Sequence, residues 1–259
     1  MNKEKPILSV KNLDIGYPQK QVASNINVEI HRNALTAVIG INGSGKSTFL
    51  NTLSGNLPQT AGEIFIRQQP LHNLPPRKIA EHISLVLSNP VYSQNLSVYD
   101  MVALGRQPYT NWLGLLSEQD KQAVQKALQL IDIESMAHRK CGELSDGQLQ
   151  KAFIARALAQ DTEMIILDEP TNHLDLYHKA FVFKLLKKLT QETGKAVVLA
   201  THELNLALQL CDELILINQG EIIAGSPKDL IQNKVLHKLF PSDLIRFDEK
   251  TKSFWVVEN

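Results

Sequence analysis

The stretch Gly40-Ile41-Asn42-Gly43-Ser44-Gly45-Lys46-Ser47-Thr48 constrains this chain more than any other. It fits the spacing G-x-x-x-x-G-K-[ST], and the apolar run Ala37-Val38-Ile39 before it reads as a buried strand delivering the chain to a loop. A helix is expected to start near Lys46. Gly40, Gly43 and Gly45 are expected to let the backbone take φ > 0 and approach a ligand, so that successive N–H groups form a concave anion nest. The helix start adds its positive dipole end at the same point. Lys46 would reach the β- and γ-phosphates of a bound nucleotide, and the Ser47 hydroxyl would take one position on Mg²⁺. Asn42, Ser44 and Thr48 belong to the same nucleotide-binding loop. Strand, phosphate loop and helix in succession imply an α/β fold.

Composition narrows the setting. The chain has 259 residues, 43% of them apolar, enough to bury a large core. Lys plus Arg and Asp plus Glu number 27 each, so no net field favours nucleic acid or an anionic membrane. No apolar run reaches the length of a spanning helix, and the start MNKEKPILSV is too polar for a signal peptide, so a cytosolic protein is expected. Cys141 and Cys211 make no C-x-x-C pair or ligand cluster and read as reduced, partly buried thiols.

Short β-rich segments lie at residues 7–15, 22–30, 34–39 and 62–67, a small antiparallel sheet wrapped around the strand that carries the loop. Residues 88–160 turn helical. Within them Ser117 and Asp120 predict a capping box, followed by an apolar stripe of Ala123, Val124, Ala127, Leu128 and Ile131. Strands and helices then alternate: strands at 164–167, 196–200 and 213–217, helices at about 176–193 and 204–210. Near-continuous apolar strands between helices mean a mostly parallel sheet covered on both faces. Residues 241–259 read as a C-terminal hairpin turning at Glu249-Lys250. With no repeat or linker, residues 1–259 are expected to form a single domain with the helical part inserted.

Met164-Ile165-Ile166-Leu167-Asp168-Glu169 is an apolar strand ending in two acids, where a parallel sheet presents ligands at its carboxyl edge. Asp168 would hold Mg²⁺ through water. Glu169 is placed to orient and deprotonate an attacking water as general base. An acidic pair after a strand is by itself a common loop start; the phosphate loop in the same chain selects the functional reading.

Leu144-Ser145-Asp146-Gly147-Gln148 precedes a helix, and its Ser and Gly are by themselves only a cap. LSDGQ resembles the LSGGQ signature of the ABC ATPases, and Arg156-Ala157-Leu158-Ala159, Leu167-Asp168-Glu169-Pro170 and Thr171-Asn172-His173-Leu174-Asp175 follow in that family's order. Asn233-Lys234 lacks the later aspartate that guanine recognition needs. The resemblance implies a P-loop NTPase core with an N-terminal antiparallel β subdomain and an inserted helical subdomain. It implies a homodimer stacked head to tail, each ATP held between the P-loop of one chain and the Ser145, Gly147 and Gln148 of the other. It also assigns Tyr17 to stacking on adenine and His202 to the γ-phosphate. Asp175 would lie at the dimer seam, cap the helix after it, or do both.

Residues 101–109, Leu116-Ser117-Glu118-Gln119-Asp120 and TNHLD look like the importers of iron-siderophore, haem and cobalamin compounds. Such an ATPase works at the cytoplasmic face of the cell membrane with two permease subunits and an extracytoplasmic substrate-binding protein. An ATPase serving an exporter and a small-molecule P-loop kinase are the alternatives; a kinase would release phosphorylated product instead of free phosphate. Two departures stand out. Asp146 replaces a glycine of the signature and is expected to weaken ATP-driven dimerisation. Ser88 stands where the family has the glutamine of its Q-loop, with Gln94 as the alternative.

Overall fold

The computed structural model describes residues 5–240 and 243–257. The chain begins with a hairpin, β1 (Leu8–Tyr17) and β2 (Lys20–Ile30), and enters the interior as β3 (Leu35–Ile39), every residue of which is buried. After the phosphate loop come α1 (Lys46–Leu53), β4 (Ala61–Ile66), the short β5 (Gln69–Pro70), α2 (Pro76–His82) and β6 (Ile83–Val86). The helical part follows as α3 (Val98–Ala103), α4 (Glu118–Leu130) and α5 (Asp146–Ala159), joined by short 3₁₀ turns. Alternation then sets in with β7 (Met164–Asp168), α6 (Leu176–Thr193), β8 (Ala196–Ala200), α7 (Leu204–Leu210) and β9 (Glu213–Asn218). The chain closes with β10 (Glu221–Gly225), α8 (Pro227–Gln232) and the hairpin β11 (Ile245–Asp248) and β12 (Ser253–Val256). Of the hairpin expected at 241–259, residues 241, 242, 258 and 259 lie outside the described residues.

The central sheet runs β10-β9-β3-β8-β7-β6, parallel except for β10. A separate antiparallel sheet runs β2-β1-β4-β5. Period-two alternation divides the central strands between two cores. Leu35, Ala37, Ile39, Ile165, Leu167, Val197 and Leu199 face α5, α6 and α7. Val38, Met164, Ile166, Val198 and Ile215 face α1 and the antiparallel sheet, where Phe49, Leu50 and Leu53 close the layer. Strands buried on both faces have no polar side to turn to water, which is why they read as unbroken apolar runs. The alternation of β6 with α2, and of β10 with α8, is absent from the sequence reading. β6 is buried but only four residues long, and α2, β10 and α8 are short and largely exposed, so little periodicity marks them.

A buried ion pair joins two segments of the helical part. Arg106 Nε donates to Asp120 Oδ1 at 2.8 Å and Nη1 to the Ala159 carbonyl at 2.7 Å, both side chains nearly buried. Asp120 is also the acid of the expected capping box, with both of its bonds to Ser117 present. Residues 101–109 and the L-S-E-Q-D stretch are thus halves of one structural joint. Burial pushes the Asp120 carboxyl up, but the hydrogen bonds from Ser117 and Arg106 outweigh it and hold it below the usual carboxylate range. That contribution to stability is present above the ordinary carboxylate pKa and is lost as the pH falls through the lowered value. Arg106→Met is expected to cost about 2 kcal/mol, because Asp120 keeps Ser117 but loses a buried charged partner. Urea unfolding of the two chains measures it.

Candidate functional site

Three neighbouring parallel strands end together. β3 leads into the phosphate loop, β7 ends at Asp168 with Glu169 next, and β8 runs into Thr201-His202, where the Thr201 N–H donates to the Val38 carbonyl at 3.1 Å. Ligands of an open α/β sheet bind at such carboxyl ends. Gly43 and Gly45 take φ of +77° and +105°, as the nest requires. Gly40 does not, which corrects the expectation for that residue. It is glycine for space: a β-carbon there would stand 2.5 Å from the Ile217 carbonyl oxygen and 2.6 Å from Ser44 Oγ. Ser44 therefore packs behind the loop.

Lys46 opens α1 and is 5% exposed. Its ammonium donates to the carbonyls of Gly40 at 3.2 Å and Ile41 at 3.3 Å and lies 3.9 Å from Glu169 Oε1. Burial lowers its pKa, with Glu169 and Asp168 pulling the other way. Ser47 Oγ donates to Asp168 Oδ1 at 2.9 Å across 121 residues of sequence. A hydroxyl and a carboxylate side by side are hard oxygen donors of the kind Mg²⁺ takes together with waters and phosphates, so the pair fits that ion. Asp168 is held above the usual carboxylate range, chiefly by burial and then by Glu169, while Ser47, Lys46 and, least, Ser88 oppose the rise. Ser88 itself lines a different cavity, with Asp146, Asn172 and His173. Gln94 instead packs on Gly142, whose N–H donates to the Gln94 carbonyl at 3.0 Å.

Glu169 sits at φ +47°, a conformation non-glycine residues rarely hold, with its N–H donating to the Ala200 carbonyl at 3.1 Å. Its Oε2 accepts from Asn172 Nδ2 at 2.7 Å. His202 Nε2 lies 3.1 Å from Glu203 Oε1, which in turn accepts from Lys179 at 2.5 Å. Asn42, Gly43, Gly45, Lys46, Ser47, Thr48, Glu169 and His202 line one cavity of about 690 Å³, together with Asn172 and His173. The sequence reading assigned those last two no role, although they stand in the T-N-H-L-D stretch it singled out. Tyr17, at the β1–β2 turn, is 51% exposed and outside this cavity.

The LSDGQ residues stand elsewhere. Ser145 accepts from the Gln148 N–H at 3.4 Å and the Ser145 N–H donates to Gln148 Oε1 at 3.2 Å, so these two cap α5. Ser145, Gly147 and Gln148 line a separate cavity of about 280 Å³ with Lys151, Tyr177 and His178. Asp146 takes no part in the cap and faces the other side of the helix start, toward Ser88, Asn172 and His173. Asp175 caps α6 by accepting the His178 N–H at 2.9 Å. That bond, followed by the one from the His178 ring, keeps its carboxyl below the usual range.

The family model for the ABC transporter matches residues 23–172, from β2 through the phosphate loop, the LSDGQ turn and the acidic pair. The chain belongs to the ABC transporter ATP-binding family. Among the relatives of this ABC ATPase is an ABC transporter ATP-binding protein of Methanocaldococcus jannaschii, 35% identical, with 98% of this chain and 88% of that protein aligned. The iron(3+)-hydroxamate import ATP-binding protein of Bacillus subtilis is 32% identical over 91% of this chain and 88% of its own. The solved structure of cbiO1 from Clostridium perfringens, part of an ABC transporter complex, superposes with a TM-score of 0.79 at 30% identity, covering 91% of this chain and 94% of that one. The chain is accordingly the ATP-binding, ATP-hydrolysing subunit of an ABC transporter. No helix among the described residues is long and apolar enough to cross a membrane.

Proposed function

We propose that two copies of this ABC ATPase stack head to tail on ATP and that hydrolysis drives import of an iron-siderophore compound, with haem and cobalamin compounds as the wider class. The observation that carries the reading is the separation of the two half-sites. The cavity holding Lys46, Glu169 and His202 contains no residue of the LSDGQ turn, whose Ser145, Gly147 and Gln148 line another one. A second copy supplies the missing wall.

In that arrangement the N–H nest and Lys46 hold the β- and γ-phosphates, Tyr17 stacks on adenine, and Ser47 and Asp168 hold Mg²⁺. The ion, when bound, neutralises charge developing on the phosphate oxygens. Glu169 takes a proton from the attacking water while Asn172 holds its second oxygen, and His202, braced by Glu203, meets the γ-phosphate. If the Ser88 hydroxyl meets the Mg²⁺ shell once ATP is bound, Ser88→Ala is expected to slow hydrolysis about tenfold, the size of one such hydrogen bond, and Gln94→Ala to leave it within about twofold. Steady-state phosphate release distinguishes the two positions.

The import assignment is supported by the name of the Bacillus subtilis relative. The permease partners are supported by the apolar surface of the helical part, where Val91, Trp112, Leu113 and Leu115 are exposed. The chain is thus peripheral to the cytoplasmic face of the membrane, with an extracytoplasmic binding protein delivering the cargo. Purification of the chain from its native membrane tests this: a permease subunit should elute with it in equal amount. Elution alone, or with a protein that spans no membrane, overturns the reading.

A further inference from the structure

His178 joins two places that the head-to-tail dimer would use. Its ring Nδ1 lies 2.9 Å from both oxygens of Asp175, and its backbone N–H donates to the same carboxylate. The far side of the ring covers Gly147. A β-carbon on that glycine would stand 3.1 Å from His178 Cδ2 and 3.7 Å from Nε2. Tyr177 supports the ring edge-on, centroids 5.4 Å apart at 88°.

The acid holds the imidazole, and the imidazole forms the wall behind the signature glycine. Gly147 lies in the first turn of α5, where backbone N–H groups have no acceptor within the helix and point outward. A phosphate arriving from outside is bound only if those donors are aimed at it, and a shift of about 1 Å at such a contact costs as much as 10²-fold.

We propose that His178 is a positioning residue, which through its contacts with Asp175 and Gly147 sets the signature turn against the dimer seam so that both meet the partner's nucleotide as one unit. This rests on the head-to-tail reading above. A side chain at position 147 would press on the ring and move it by a few tenths of an ångström. It also gives Asp175 a task beyond capping, since both of its oxygens are engaged by the ring.

The test uses the Glu169→Gln chain, which retains ATP, and adds either His178→Phe or His178→Asn. The first keeps a ring against Gly147 and loses the bond to Asp175; the second keeps an N–H donor near Asp175 and loses the ring. Sedimentation with saturating ATP should show about tenfold weaker dimerisation for each, the Phe variant through the lost hydrogen bond to the carboxylate and the Asn variant through the lost ring behind Gly147. In the otherwise unaltered chain, kcat should fall by a similar factor, with fluorescent-nucleotide affinity of the dilute monomer and the melting temperature unchanged. Dimerisation within twofold of the Glu169→Gln chain for both variants overturns the inference, as does a loss that merely follows a lowered melting temperature. Failure of Glu169→Gln itself to dimerise with ATP overturns the head-to-tail reading instead.

Discussion

Glu169→Gln is expected to bind ATP with nearly wild-type affinity, to hydrolyse it about 10²–10⁴-fold more slowly, and to accumulate as an ATP-bound dimer. The geometry explains each part. In the proposed arrangement the carboxylate does not hold phosphate; the nest and Lys46 do, and Lys46 comes no nearer to Glu169 than 3.9 Å. Its backbone conformation is set by the bond from its N–H to the Ala200 carbonyl, which a glutamine keeps. Glutamine also matches the side chain in size and preserves an oxygen for Asn172. What it lacks is basicity, so the water loses its proton acceptor and the clamped state persists. Single-turnover phosphate release together with sedimentation measures both effects, and normal release in the variant would remove Glu169 from the role of base.

The second large effect is at Lys46. Lys46→Ala is expected to weaken ATP binding by about two orders of magnitude, the cost of removing one desolvated donor from a charged ligand. The fold should tolerate the change, because the ammonium contributes only two long hydrogen bonds to loop carbonyls and a distant carboxylate, and its burial is itself costly. The two effects separate in a thermal melt. ATP at about 100 times its Kd stabilises the wild-type chain by about 2.7 kcal/mol, and at the same concentration this increment should shrink to about 0.4 kcal/mol in Lys46→Ala while the ligand-free melting temperature stays close to wild type. A variant that still gains the full increment shows that phosphate is held by the backbone nest alone.

The parts legible in the sequence are those whose causes are local. The capping box at Ser117 and Asp120 shows both of its bonds, and α6, β8 and α7 run over the ranges that periodicity and capping indicate. Gly43 and Gly45 need positive φ for reasons confined to the loop itself. Gly40 was misread because its requirement is set by Ile217, far away in the chain. Edge elements such as β6 and β10 are unmarked because strands of four or five residues are too short to show a period, and β10 is besides largely exposed.

By itself, then, the sequence determined the chemistry of each station: a nest with a lysine, a strand ending in two acids, and a capped turn of Ser145, Gly147 and Gln148. Which stations meet was decided by the tertiary structure. In the central sheet β3 lies beside β8 and β8 beside β7. That order brings Ser47 to 2.9 Å from Asp168 and leaves the signature turn in a different cavity, backed by His178. Contacts across a hundred residues follow from strand order and layer packing, and no local propensity encodes them.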